Sequence, residues 1–138
     1  MRLNQIRPDD EQLRVILEVG FMLRDAGRLD EAEDVFSGMA GFLPEADLPL
    51  VALGTVKLQR RQFADAEALC EAALVRCPGS LYARVHQAEA LLFQQRRDEA
   101  EAELRDIISR DPNSPHSRTA LALLDAADLI CPGGSCAR

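Results

Sequence analysis

Three prolines, Pro44, Pro78 and Pro112, stand 34 residues apart. Ala32, Ala66 and Ala100 keep the same interval, and so do Gly20, Gly54 and Ala88. Around the central alanine the text nearly repeats itself: Asp30-Glu-Ala-Glu33, Ala64-Asp-Ala-Glu67 and Asp98-Glu-Ala-Glu101. With proline at roughly 5% of average sequences, two further prolines in register by chance is about a 1-in-400 event. A fixed period of this length means stacked copies of one supersecondary unit, each too small to bury its apolar face alone. No other property of the chain constrains its fold as strongly.

Each unit reads as a helical hairpin. The first helix is expected over about 10–25, 47–60 and 81–94, the second over about 29–41, 63–75 and 97–109. Short polar turns join them at Ala26-Gly-Arg28, Arg61-Gln62 and Gln95-Arg-Arg97. Small residues in both helices (Gly20, Gly54, Ala88 against Ala32, Ala66, Ala100) would allow a close helix crossing. Ile16, Val19, Leu23, Leu50, Leu53 and Leu91 fill the first helices at helical spacing. Phe36, Met39, Cys70, Ala73, Leu104 and Ile107 do so in the second. The prolines stop each hairpin and turn the chain into the next.

With these residues in place the chain resembles tetratricopeptide repeat proteins over residues 13–114, in units of about 13–46, 47–80 and 81–114. Two slots depart from the family pattern. The aromatic usual early in the first helix is replaced by Ile16, Leu50 and Arg84, and the later one by Leu23, Lys57 and Leu91. Residues 115–130 form an amphipathic segment with Pro115 in a first helical turn after Ser114, as a cap over the last hairpin would. The expected fold is therefore all-α: three tandem hairpins plus a C-terminal capping helix in a short right-handed solenoid. It forms one domain over 1–130, and 131–138 is expected as a flexible tail.

The net charge of −7 argues against a binder of duplex DNA or anionic membranes, which needs a basic face. No apolar stretch approaches the ~20 residues of a membrane span, and no signal peptide is visible at the start. A cytoplasmic, bacterial protein is expected. Cys70 and Cys77 lack a second pair at zinc-ligand spacing. Cys131 and Cys136 could close a small loop around Pro132-Gly-Gly-Ser, or be incidental thiols of the tail, which is the reading preferred here. His86 and His116 are the only histidines, and no nucleophile with a base, no phosphate loop and no metal cluster is suggested. The paired acids of the repeated motif fit the first turn of each second helix, where carboxylates are favoured by ~0.3–1 kcal/mol. No catalysis, cofactor or metal is expected.

The resemblance implies that the first helices line a concave surface that sets the ligand. Carried across, the groove positions are Arg14, Leu17, Phe21 and Arg24, then Leu48, Val51, Thr55 and Leu58, then Tyr82, Val85, Glu89 and Leu92. Phe93, His116 and Thr119 are further candidates at the edge. Members that grip a C-terminal carboxylate carry cations at such positions, whereas here Leu, Phe, Val and Tyr predominate. Such a groove suits an apolar strand or the apolar face of a helix, although some of these residues could instead face neighbouring units. Small, acidic three-repeat proteins of this size are also similar to the class II chaperones of bacterial type III secretion. That likeness is carried by Glu33-Asp-Val-Phe-Ser-Gly-Met39 and His86-Gln-Ala-Glu-Ala-Leu-Leu92 followed by Asp98-Glu-Ala-Glu101. It implies a chaperone that holds a hydrophobic or amphipathic protein client in the groove. A general adaptor or assembly module recognising a short motif is the alternative. Neither nucleic acid nor membrane insertion is expected of the partner, and a homodimer or hetero-complex is left open.

Overall fold

The computed structural model describes residues 8–132. Within them the chain forms seven helices, and no strand occurs among the described residues: α1 Asp10–Asp25, α2 Leu29–Phe42, α3 Leu48–Gln59, α4 Phe63–Arg76, α5 Leu81–Phe93, α6 Arg97–Arg110 and α7 Pro115–Ile130. The helices pack in sequence as hairpins α1–α2, α3–α4 and α5–α6, with α7 against α6 and α5. The odd-numbered helices also touch one another in series, so α1, α3, α5 and α7 make an inner layer and α2, α4 and α6 an outer one.

Side-chain caps start three of the four inner helices; α3 has none and begins with Pro49 in its first turn. In the inner layer, Asp9 caps α1 in a reciprocal box with Gln12, accepting from its N–H at 2.8 Å and donating to its side chain at 2.9 Å. Ser80 caps α5 and Ser114 caps α7, each accepting a backbone N–H at 3.0 Å. The outer helices have no side-chain cap. They follow tight turns and carry carboxylates in the first turn instead: Asp30 and Glu31, Asp65, Asp98 and Glu99. The last acid of the first two motifs does something else. Glu33 reaches Lys57 (2.9 Å) and Arg60 (3.2 Å) at the end of α3. Glu67 likewise receives Gln94 (3.0 Å) and Arg96 (3.1 Å) from the end of α5. The repeated acid ties each hairpin to the next.

The turn within each hairpin needs one residue in the left-handed region. Gly27 (φ 79°), Arg61 (φ 63°) and Gln95 (φ 65°) supply it at the same 34-residue interval. A side chain there costs of order 1 kcal/mol, and both side chains are used. The Arg61 guanidinium lies 5.6 Å from the Phe63 ring. Gln95 donates to the Ile130 carbonyl at 3.1 Å.

Phe36, Met39, Ala66, Cys70, Ala73, Ala100, Leu104 and Ile107 are buried along the outer helices, against Gly20, Gly54 and Ala88 of the inner ones. The cations in the two departing slots also find partners. Lys57 meets Glu33, and Arg84 pairs with Glu103 and with Asp106 (2.8 Å) of α6.

One expectation is corrected at the C-terminal end. Cys131 is not a tail residue: it is buried with Leu92, Leu104 and Ala127, and its thiol donates to the Leu92 carbonyl at 2.9 Å. Arg97 adds an ion pair to Asp128 (2.8 Å) and a hydrogen bond to the Cys131 carbonyl. The helix ends at Ile130, yet Cys131, just before Pro132, stays packed. Cys136 lies outside the described residues.

Candidate functional site

A helix that meets its hairpin partner on one side and inner-layer neighbours on two others keeps a single free stripe. In α5 this stripe is Tyr82, His86, Glu89 and Phe93, spaced for one helical face and all only half-buried. The residues between them, Ala83, Val85, Ala88 and Ala90 to Leu92, are buried. Arg24 of α1 and Thr55, Leu58 and Gln59 of α3 continue the surface. With His86, Glu89 and Phe93 they line one shallow groove across the inner layer.

The polar groups in this groove are held before anything binds. Arg24 donates through Nη1 to the Thr55 hydroxyl at 2.9 Å and through Nε and Nη2 to Asp25. Its guanidinium lies 5.0 Å from the Phe21 ring, and Phe21 in turn tilts against Phe36 at 5.1 Å. Thr55 spends its own proton on the Ala52 carbonyl at 2.6 Å, which leaves its oxygen to accept from Arg24. On the opposite wall His86 Nδ1 lies 2.9 Å from a Glu89 oxygen. Phe93 stacks on Phe63 at 4.8 Å and 9°, closing that end with an aromatic pair.

Tyr82 sits where α5 meets α7. Its ring takes His86 edge-on at 5.1 Å and lies nearly parallel to His116 at 5.7 Å. Burial pushes its phenol up to about 12, with the Arg24 charge pulling the other way. Behind the groove, burial and the carboxylates of Glu89, Glu67 and Glu71 raise the Cys70 thiol to about 12. Such a thiol stays protonated near neutral pH and is a poor nucleophile. The arrangement can contact, stack and hydrogen-bond a segment laid across it.

The expected site residues divide into three groups. Arg24, Thr55, Leu58 and Glu89 line the groove together. Leu17, Phe21 and Tyr82 are half-buried beside the core, and Leu48 and Arg14 are more exposed. Val51, Val85 and Leu92 are corrected: at 0%, 1% and 0% exposure they are core, not groove surface. They occupy the stripe that joins α3 and α5 to their neighbours, one position away from the free one. His86 and Phe93 take the places assigned to Val85 and Leu92. The signal was present, since Tyr82, His86, Glu89 and Phe93 recur at helical spacing with no aliphatic among them. Of the cap-helix candidates, His116 joins the cluster through Tyr82, while Thr119 is exposed and its hydroxyl donates to the Pro115 carbonyl.

A family model described as tetratricopeptide repeat matches residues 57–124. No curated protein matches the sequence. Among solved structures, the chain is similar to the type III secretion translocator chaperone SycD of Yersinia enterocolitica. The identity is 22% over 90% of this chain and 94% of that one, with a TM-score of 0.74. It is also similar to PcrH of Pseudomonas aeruginosa, solved in complex with the chaperone-binding region of PopD. There the identity is 19% over 90% and 97% of the two chains, with a TM-score of 0.72. The first tetratricopeptide domain of Spaghetti (RPAP3), bound to the HSP90 peptide SRMEEVD, matches at 21% over 88% and 97%, with a TM-score of 0.71. At these identities the likeness establishes the tetratricopeptide-repeat helical solenoid. No helix among the described residues is long and apolar enough to cross a membrane.

Proposed function

We propose that this tetratricopeptide-repeat protein is a cytoplasmic, non-catalytic chaperone that holds a hydrophobic or amphipathic segment of a protein client across its inner face. The observation that carries this reading is the groove of Arg24, Thr55, Leu58, His86, Glu89 and Phe93. Apolar side chains there are half open, and polar ones are already oriented. Groups preset in this way lose little freedom on binding, which is where affinity is otherwise lost. Similar folds hold peptides: SycD has been solved with a peptide of the translocator YopD and PcrH with a region of PopD. Those likenesses favour a type III secretion role, with a translocator-like subunit as client.

A general adaptor role is the second reading, and the comparison with the HSP90-peptide complex keeps it in view. Three of that peptide's last four residues, Glu-Glu-Val-Asp, are acidic. The groove here offers one lining cation, Arg24, and it faces a wall that carries Glu89. A peptide so acidic would meet little positive charge.

Calorimetry separates the two readings. A neutral amphipathic helical peptide should bind, and SRMEEVD should not. Leu58→Ala should weaken the amphipathic complex by about 1–2 kcal/mol with little loss of stability in the free protein. Salt at 0.5 M should change the affinity little. Tight binding of SRMEEVD that salt abolishes would reverse the assignment in favour of the adaptor.

A further inference from the structure

The chain has two histidines and one tyrosine. His86 and His116 are 30 residues apart and on different helices, yet both rings pack on Tyr82, one edge-on at 5.1 Å and one nearly parallel at 5.7 Å. Every imidazole in the protein therefore sits at one end of the groove, at the contact between α5 and α7. Imidazole is the side chain whose ordinary titration falls between pH 5 and 8.

We propose that these two histidines gate the groove by charge: neutral, they extend its apolar floor with Tyr82, and protonated, they shut that end to an apolar segment. This inference rests on the groove reading above and adds its regulation.

The surroundings set the sign. Arg24 of α1 already places a positive charge beside Tyr82. Asp47, before α3, accepts from the Ser80 hydroxyl but keeps its negative charge, which acts on Tyr82 from that side. From α4 the Cys70 thiol acts on Tyr82 and, raised by burial, is neutral near pH 7; Glu67 and Glu71 of the same helix lie around that thiol. The α6 carboxylates Glu103 and Asp106 are spent on Arg84. On α5 itself Glu89 faces His86 and can offset its charge. The ion pairs of the described residues include none to His116. A protonated His116 thus adds a charge with no ion-pair partner among the described residues, and an apolar segment laid over it removes the water that solvates it. Covering an unpaired charge is strongly unfavourable, so binding should select the neutral imidazoles and release protons.

Nile red, an uncharged apolar dye, is a suitable probe. With no tryptophan and one tyrosine in the chain, dye-dependent quenching of Tyr82 emission reports this end of the groove. The dye is titrated from pH 7.5 to 5.5, within the span where imidazole side chains ordinarily change charge. The dye's Kd should rise at least about fivefold over that range. His86→Gln with His116→Gln should flatten the dependence, read as the ratio of each variant's Kd at pH 5.5 to its own Kd at pH 7.5. His116→Gln alone should remove the larger part of the effect, since His86 has Glu89. Equal pH dependence in wild type and the double variant, or none in either, overturns the gate and leaves the groove reading standing. Absence of dye quenching at both pH values removes the apolar groove, and the gate with it. Should the double variant fold poorly, Glu89→Gln decides instead: it should steepen the wild-type dependence, and an unchanged slope would sink the proposal.

Discussion

At the C-terminal end of the solenoid, Leu104 and Ile107 of α6 are fully buried beneath α7. At the N-terminal end, Val15, Val19 and Met22 of α1 form a stripe that is 52%, 44% and 70% exposed. Phe42, at 40%, borders a hollow with Pro8, Val15 and Ile16. The units follow one pattern, and burial at each end depends on what comes next in the stack. A solenoid helix presents an apolar face to its neighbour, and only an added helix of different composition finishes it. At one end α7 does so, with Ala120, Ala127 and Cys131 turned inward. The interiors of the hairpins differ as well. A Cβ on Gly20 would come within 2.6 Å of the Phe36 ring, whereas on Gly54 it would meet Cys70 and Ala66 no closer than 3.5 Å. The first hairpin is open outside and too tight within for a methyl at its crossing; the second is covered outside and would accept one at ordinary contact distance.

The contrast between the ends predicts its largest effect at the covered one. Leu104→Ala should cost about 2–5 kcal/mol in urea melts, because the site is closed on all sides. Comparable losses at exposed Val19→Ala would mean that the two ends are equally buried in solution. Next comes the contrast between hairpins. Gly20→Ala should destabilise by about 1–3 kcal/mol as Phe36 is forced aside. Gly54→Ala should be neutral or stabilise by up to about 1 kcal/mol, since alanine suits a helix better than glycine. If both substitutions stabilise, the first crossing is looser than described.

Smaller again is the latch. Cys131→Ala should cost about 1 kcal/mol by giving up its hydrogen bond and part of its burial. Ending the chain at Ile130 should lower the Tm by several degrees, a loss that thermal melts of the two lengths would resolve; no change would return Cys131 to the tail. At the bottom of the scale, Met22→Gln should stay within about 0.5 kcal/mol. A larger destabilisation would mean that the stripe is covered in solution.

What could be read from the sequence follows the same division. The 34-residue period locates the hairpins because proline, glycine and alanine act on the backbone and the helix crossing, both local or repeated features. The groove register was harder. Val85 and His86 are adjacent, and which one faces outward depends on how α5 rotates against α3 and α7. Periodicity alone leaves that rotation open to a slip of one position. Cys131 was hidden for another reason. Its place is set by a thiol reaching Leu92, 39 residues earlier, and no spacing rule announces such a contact. Arg84 departs from the family pattern in sequence, and only the packing of α5 on α6 reveals the two carboxylates that hold it.

The acid that ties each hairpin to the next gives the molecule an order of assembly. Glu33 is in the chain before Lys57 and Arg60, Glu67 before Gln94 and Arg96, and Gln95 and Arg97 before the carbonyls of Ile130 and Cys131. In each case the earlier segment holds its half of the link while the later one is still being made. A ribosome adds about 5–20 residues per second, so a 34-residue unit takes roughly 2–7 s to emerge. Helical hairpins rich in local contacts form in far less time, on the order of milliseconds or faster. Each unit can settle and then receive its successor, one row upon another. The closing helix arrives last, when the surface it covers is already built.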